Sequence, residues 1–123
     1  MKVGEINTPA LLVDSKTLAK NIACMTKARP GASLRPHVKA FKSSVLAKEL
    51  VSAGHENFCC ATIREIEGMV AAGLDHDLLL ANQVVNTTRL GALMDKKSTR
   101  ITVAVDSEET IQSAKSGGIS EVL

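Results

Sequence analysis

Three basic side chains stand at alternate positions in the stretch LRPHVKAFKS, residues 34–43. We predict that this stretch is a strand, in which Arg35, His37 and Lys39 share one face. Nearby positive charges favour the deprotonated form of a lysine amine, so a lysine in such a cluster is a better nucleophile than an isolated one. Imine chemistry needs such an amine. An anion-binding site and a polar barrel interior are alternatives that the residues alone leave open.

The composition limits the class of protein. The chain has 123 residues, 45% of them hydrophobic, which suits a single domain with a core. Its 15 basic and 13 acidic residues give a net charge of +2, too small to indicate a nucleic acid or an anionic membrane as partner. The amino-terminal stretch lacks a signal-peptide pattern and no apolar run is long enough to span a membrane, so we expect a cytoplasmic protein.

The cysteines and histidines give no ligand pattern. Cys24, Cys59 and Cys60 have no metal-binding spacing and are odd in number, which favours reduced thiols packed in the core. His55 and His76 are isolated on predicted loops. The sequence therefore predicts no metal site within this chain.

Short β-rich runs alternate with amphipathic segments along the chain. The predicted strands are PALLVD, the stretch at 34–43, NFCCA, DLLLAN, RITVAVD and ISEVL. Their starts are spaced by roughly 20–25 residues, which is typical of repeating strand and helix units. The apolar run DLLLAN is typical of a parallel strand buried on both faces.

The helix starts between these strands carry capping signals. Ser15, Thr62 and Ser107 are predicted N-caps, and Thr62 with Glu65 matches a capping box. The pattern as a whole predicts an α/β fold with a mostly parallel sheet. An open doubly wound sheet and part of a (β/α)₈ barrel remain alternatives, since a complete barrel needs about 250 residues. Neither a dinucleotide-binding glycine motif nor a P-loop follows any strand.

The combination of motifs resembles a known family. The order PALLVD, RPHVKAFKS, FCCATIREIEGMVAAG, DLLLAN and VAVDS is similar to the N-terminal part of pyridoxal-phosphate-dependent enzymes related to D-threonine aldolase and D-serine dehydratase. These enzymes belong to the alanine-racemase-like barrel class, fold type III. The resemblance covers nearly the whole chain. It implies one partial barrel domain over residues 1–123, with about six strands and without the rest of the barrel or the C-terminal β domain.

The resemblance also implies site residues. In that family the lysine of R-P-H-x-K forms a Schiff base with pyridoxal 5′-phosphate, and the matching residue here is Lys39. His37 would tune this lysine or contact the cofactor. Ser43 would offer a hydroxyl to an anion or cap the following helix. Asn82, at the end of its strand, would face the pocket or serve in a turn.

The chain departs from the family in two ways. Thr-His-Lys usually follows R-P-H-x-K, whereas residues 40–42 are Ala-Phe-Lys, which leaves fine specificity open. Full-length relatives also carry a divalent metal on His and Cys residues of a C-terminal β domain, which nothing in this sequence matches.

The implied function is lyase, aldolase or racemase chemistry on D-amino acids or 3-hydroxy amino acids, weak or absent in this chain alone. The alternatives are a protein that binds pyridoxal phosphate without turnover and a non-catalytic, self-associating α/β fragment. Because a partial barrel has open strand edges, we expect a homo-oligomer, specifically a dimer.

Overall fold

The computed structural model describes residues 2–94 and 99–123. Met1 and residues 95–98, which the predicted domain includes, lie outside the described residues. Within the described ranges, five α-helices alternate with four β-strands. The helices are α1 (Ser15–Ala28), α2 (Ser44–Ser52), α3 (Ile63–Ala71), α4 (Thr88–Met94) and α5 (Glu108–Ser116). The strands are β1 (Asn57–Cys60), β2 (Asp77–Leu80), β3 (Ile101–Val103) and β4 (Glu121–Val122).

The four strands form one parallel sheet in the order β1-β2-β3-β4. The helices α3, α4 and α5 make the crossovers between consecutive strands. A doubly wound sheet reverses its strand order at a switch point, whereas this order follows the chain without reversal. The predicted α/β fold with a parallel sheet is therefore confirmed, and the sequential order is that of a (β/α) barrel segment.

One face of the sheet, which we call the covered face, carries the hydrophobic core. Two rows of paired strand residues, each at most 1% exposed, make up this face: Phe58, Leu78 and Ile101, then Cys60, Leu80 and Val103. Buried side chains from four helices pack with them in the same core: Ala47, Ile66, Met69, Val70, Leu90 and Ala114. Burial of this apolar surface is the main source of stability for the fold.

The opposite face, which we call the open face, is less buried and more polar. Side chains alternate between the faces along each strand, so Cys59, Leu79 and Thr102 lie here in one row and are half-buried. The prediction that DLLLAN is buried on both faces is therefore wrong for Leu79.

Most predicted helix starts are correct. The hydroxyl of Thr62 accepts a hydrogen bond at the start of α3, and that of Ser107 does so at the start of α5. The predicted capping box at Thr62 is wrong, because the Glu65 carboxylate accepts from the N–H of Ala61 and not from that of Thr62. For α1 the N-cap is Asp14 rather than Ser15, because the Asp14 carboxylate accepts a hydrogen bond from the Thr17 N–H at 2.7 Å. That hydrogen bond holds the pKa of Asp14 below its ordinary value.

The predicted strand PALLVD does not form. Leu11, Leu12 and Val13 are 92%, 55% and 55% exposed, and no backbone hydrogen bond joins them to other described residues. A strand is defined by backbone hydrogen bonds to a neighbouring strand, and none joins this segment to another strand in the described part of the chain. Together with the stretch at 34–43, treated below, this leaves four of the six predicted strands.

The three thiols are free and differ in burial. Cys60 is buried and Cys59 is half-buried, but Cys24 is exposed on α1, so the prediction of core packing is wrong for Cys24. No helix in residues 2–94 or 99–123 combines the length and apolar character needed to cross a membrane.

Candidate active site

The stretch that carries Lys39 runs beside β1 without becoming a regular strand. A single parallel bridge joins His37 to Cys59, whose N–H donates to the carbonyl oxygen of Pro36 at 2.9 Å. Residues Val38–Ala40 then form a short 3-10 helix. Pro36 has no N–H for a ladder and the chain turns directly after His37, so the predicted strand is wrong beyond this one bridge.

Lys39 lies in the 3-10 helix and is exposed. His37 caps this turn, because its Nδ1 accepts a hydrogen bond from the backbone N–H of Lys39 at 3.3 Å. A neutral His37 therefore carries its proton on Nε2. Among the described residues, the Lys39 amine has no hydrogen-bond or ion-pair partner. Lys39 therefore follows the carboxyl end of the extended residues. This is the end of parallel strands at which α/β folds place their chemistry.

Arg35 lies at the other end of the stretch. Its Nη2 donates to Oδ2 of Asp77 at 2.7 Å, and its Nη1 donates to Oδ1 of the same carboxylate at 3.0 Å. Asp77 is the first residue of β2, so this pair sits at the amino end of the sheet. Arg35 is therefore paired with a carboxylate and is not a free member of the predicted cluster of three positive charges.

Cys59 lies on the open face between these two ends. Burial raises the pKa of its thiol, and the positive charges of Arg35 and Lys39 oppose that rise. The negative charge of Glu65 adds to it. The thiol is therefore within electrostatic reach of all three groups, and its half-buried position favours the protonated form.

The sequence indicated Glu65 only as a helix cap, and the structure places it beside the segment that follows Lys39. Its backbone N–H donates to the Thr62 hydroxyl at 3.2 Å, and its Oε2 accepts from the N–H of Ala61 at 2.7 Å. Its Oε1 lies 3.6 Å from Nζ of Lys42. Lys42 has a φ of +46°, a left-handed conformation that side chains other than glycine adopt rarely. The ion pair therefore joins the residues after Lys39 to the start of α3.

The other predicted polar residues have structural partners. The Ser43 hydroxyl caps α2 by accepting a hydrogen bond from the N–H of Leu46 at 3.3 Å. Asn82 donates from Nδ2 to the carbonyl oxygen of Ala61 at 3.3 Å, which links the ends of β1 and β2. The cap is thus the role of Ser43 seen in the structure, and the side chain of Asn82 links two strand ends rather than closing a local turn. A role for Ser43 in cofactor binding stays a prediction.

His55 is fully buried although it lies on a loop. Its Nδ1 lies 3.1 Å from the carbonyl oxygen of Gly31, which can only accept, so Nδ1 donates. Its Nε2 lies 2.9 Å from the hydroxyl of Thr26. His55 therefore ties α1 and the following turn to the loop before β1. Within the described ranges, no group of three or more His, Cys, Asp and Glu residues could hold a metal ion.

Comparison with known proteins gives consistent matches. The family model described as alanine racemase, N-terminal domain, matches residues 13–119. D-threonine aldolase from Arthrobacter sp. is 30% identical over 112 residues, which cover 89% of this chain and 29% of that protein. D-threo-3-hydroxyaspartate dehydratase from Delftia sp. is 28% identical over 115 residues, covering 92% of this chain and 30% of the relative.

Solved structures show the same relationship. The crystal structure of D-threonine aldolase from Filomicrobium marinum matches with a TM-score of 0.77 and 30% identity, covering 98% of this chain and 35% of that chain. The D-threo-3-hydroxyaspartate dehydratase from Delftia sp. HT23 matches with a TM-score of 0.77 and 29% identity, covering 96% of this chain and 33% of that one. The chain thus spans about a third of the length of these relatives and corresponds to their N-terminal part. It belongs to the alanine racemase N-terminal domain family.

Proposed function

We propose that this chain supplies the cofactor-attachment lysine of a pyridoxal-phosphate-dependent lyase or aldolase for D-configured 3-hydroxy amino acids. One observation carries the proposal. Lys39 presents an exposed amine, without a partner among the described residues, just beyond the extended residues that run beside β1. The family lysine of R-P-H-x-K matches this residue.

The residues present fit the attachment end of the cofactor. An aldehyde needs an amine that it can reach, and Lys39 meets that requirement. The phosphate needs hydrogen-bond donors. The Ser43 hydroxyl oxygen accepts from Leu46, which leaves its hydrogen to donate, and Nε2 of His37 is a second donor. Both residues lie within four positions of Lys39.

The substrate class follows from the names of the relatives. They are a D-threonine aldolase, a D-threo-3-hydroxyaspartate dehydratase and a 3-hydroxy-D-aspartate aldolase. Threonine is itself a 3-hydroxy amino acid, so these names share the D configuration and a hydroxyl on the carbon next to Cα. We extend that class to this chain.

The chain's own groups have distinct tasks in this proposal. When bound, pyridoxal phosphate withdraws electrons from the Cα of an attached amino acid, which lyase, aldolase and racemase reactions share. Lys39 provides the amine that holds the cofactor. His37 holds the backbone of the turn by accepting from the Lys39 N–H, which leaves Nε2–H free of that contact to donate. The ion pair of Glu65 and Lys42 links the residues that follow to α3.

Chemical trapping tests the proposal. The purified chain is incubated with pyridoxal phosphate, reduced with borohydride and mapped by peptide mass spectrometry. We expect the modification on Lys39 and its loss in the variant Lys39→Arg. Lys42→Arg is the matched control, since it removes a neighbouring amine but keeps a cation for Glu65, and labelling of Lys39 should continue.

The outcomes separate the candidate functions. Modification of a different lysine contradicts the site, and no modification contradicts cofactor binding altogether. If Lys39 is modified, assays of D-threonine cleavage and D-serine elimination distinguish an enzyme from a protein that only binds the cofactor. We expect weak or no turnover from this chain alone.

A self-associating α/β chain is the second candidate. Exposed apolar residues favour it, because Leu11 is 92% exposed in the segment before α1 and Leu123 is 75% exposed directly after β4. Strand edges and apolar side chains of this kind pair readily with another copy. We expect a homodimer by light scattering at micromolar concentration, and a compact monomer would contradict this.

A further inference from the structure

Four charged side chains of alternating sign cross the open face of the sheet. We call this row, formed by Arg35, Asp77, Arg100 and Glu121, the charge ladder. The closest N–O distances along it are 2.7 Å from Arg35 to Asp77, 3.6 Å from Arg100 to Asp77, and 2.7 Å from Arg100 to Glu121. The ladder therefore joins the stretch before β1 to β2, β3 and β4 through side chains alone.

The two arginines of the ladder have different environments. The side chain of Arg100 is 56% exposed and its partners are carboxylates. The side chain of Arg35 is 29% exposed. Besides its two bonds to the Asp77 carboxylate, Arg35 donates to the carbonyl oxygens of Phe58 at 3.3 Å and of Asp77 at 3.2 Å. Only Arg35 thus binds the backbone of two strands, using the planar fork of its guanidinium.

Besides the burial of Val38 in the core, few contacts attach the Lys39 segment to the sheet. The single bridge at His37 and the hydrogen bond from Cys59 N–H to the Pro36 carbonyl are its contacts with the β1 ladder. Arg35 lies four residues before Lys39 in the same segment. Val38 anchors the segment by burial, and Arg35 anchors it by directional hydrogen bonds, so the direction in which Lys39 leaves the sheet depends in part on Arg35.

We propose that Arg35 is the positioning residue of the Lys39 site. It clamps the segment onto β1 and β2 through the Phe58 carbonyl and Asp77, and the placement of the Lys39 amine depends on that clamp. This inference rests on the proposed attachment of the cofactor at Lys39. The terminal nitrogens of Arg35 are turned towards Asp77 and two carbonyl oxygens, so Arg35 acts on the site through the backbone and not by contact with the cofactor.

The test compares Arg35→Gln with the matched control Arg100→Gln, which removes the same charge from the same ladder. Two quantities are measured in the purified chain. The first is amide hydrogen exchange at Cys59, whose N–H reports the contact with Pro36 directly, relative to Ala104, whose N–H donates to the Leu80 carbonyl. The second is the rate of covalent attachment of pyridoxal phosphate as its concentration is varied.

We expect Arg35→Gln to accelerate exchange at Cys59 more than at Ala104. We also expect the maximal attachment rate to fall by about tenfold to a hundredfold, since a displacement of about 1 Å has effects of that size. The half-saturating cofactor concentration should change less than the maximal rate does, because the cap on α2 holds Ser43 in place independently of Arg35. Arg100→Gln should change neither quantity, and Arg35→Lys should recover part of the rate.

Three results would overturn the inference. A higher half-saturating concentration with an unchanged maximal rate would place Arg35 in contact with the cofactor. An equal effect from Arg100→Gln would assign the role to the charge of the whole ladder. If Arg35→Gln slows attachment of the cofactor but leaves amide exchange at Cys59 unchanged, then loss of the clamp does not cause the slower rate.

Two further measurements keep the inference testable. If Arg35→Gln does not fold, Asp77→Asn keeps the backbone carbonyl contacts and should give an intermediate loss in both quantities; no loss would overturn the clamp. If the unmodified chain does not attach the cofactor at Lys39, the proposed function fails. The Cys59 exchange then still decides whether Arg35 holds the segment on β1.

Discussion

The two faces of the sheet are built by different physical means. On the covered face, paired rows of apolar side chains are sealed under α2–α5. On the open face, the charge ladder crosses the strands and the side chains are half-buried or exposed. Apolar burial is non-directional and roughly proportional to area, whereas ion pairs and hydrogen bonds require particular partners at particular positions.

Two consecutive residues show what this difference means. Cys60 is fully buried on the covered face, and burial raises the pKa of its thiol to about 12. Cys59 is half-buried on the open face, where the charges of Arg35 and Lys39 oppose the effect of burial. The covered face thus holds the sheet together. The open face carries the directional contacts, including those of Arg35.

Matched truncations on neighbouring residues of β2 should give the largest difference. Leu80→Ala removes a fully buried side chain, and we expect a loss of about 3–5 kcal/mol in the free energy of unfolding because a cavity remains in the core. Leu79→Ala removes a half-buried side chain from the open face and should cost about 1 kcal/mol. Urea denaturation measures both. If Leu80→Ala does not fold, Leu80→Val replaces it, and equal losses on the two faces would contradict the comparison.

Two helical glycines test how tightly the helices cover the sheet. A Cβ on Gly91 of α4 would collide with the carbonyl oxygen of Gly117, so Gly91→Ala should destabilise the fold by about 1–3 kcal/mol through overpacking. A Cβ on Gly68 of α3 would meet no atom. Gly68→Ala should therefore stabilise the helix by about 0.5–1 kcal/mol. Thermal unfolding measures the sign of each effect, and a stabilising Gly91→Ala would show that α4 and α5 are not in close contact.

Alkaline pH should affect the covered face through Cys60. The thiol has its pKa raised to about 12 in the fold from an ordinary value of 9.0, so an unfolded chain releases this proton at lower pH than the folded one. The resulting stability is complete below pH 9 and is lost as the pH rises towards 12, at no more than about 1.4 kcal/mol per pH unit. Cys60→Ala should unfold with a shallower dependence on pH between 9 and 11 in urea titrations. An identical pH dependence of the unfolding free energy in the unmodified chain and in Cys60→Ala would show that the fold does not raise the pKa of the Cys60 thiol.

Local sequence signals predicted much of the fold. The capping hydroxyls of Thr62 and Ser107 act within one turn of helix, so their effect is visible in the adjacent residues. Glycines at helix ends and the spacing of apolar residues are also local signals, and they predicted the alternation of strands and helices. The segment PALLVD has the composition of a strand but lacks a pairing neighbour among the described residues, and pairing is a non-local property.

The site was predictable in part for a similar reason. The R-P-H-x-K motif singled out Lys39, and the structure leaves its amine exposed. The pairing of Arg35 with Asp77 spans 42 positions and depends on strand register, so no local pattern indicates it. The burial of His55 likewise depends on Thr26 and Gly31, which come from other elements.

The outer pair of the charge ladder should give the smallest effect. The hydrogen bond from Arg100 lowers the pKa of Glu121. The contribution of this pair to the free energy of unfolding is therefore complete above the ordinary pKa of a glutamate and is lost as the pH falls through the lowered pKa. Both side chains are substantially exposed, so 1 M salt should suppress most of the contribution. In Glu121→Gln we expect an almost unchanged melting temperature and faster amide exchange at Leu123, whose N–H donates to the Val103 carbonyl. A melting temperature that falls as far as that of Leu80→Ala would mean that the open face, like the covered face, holds the sheet together.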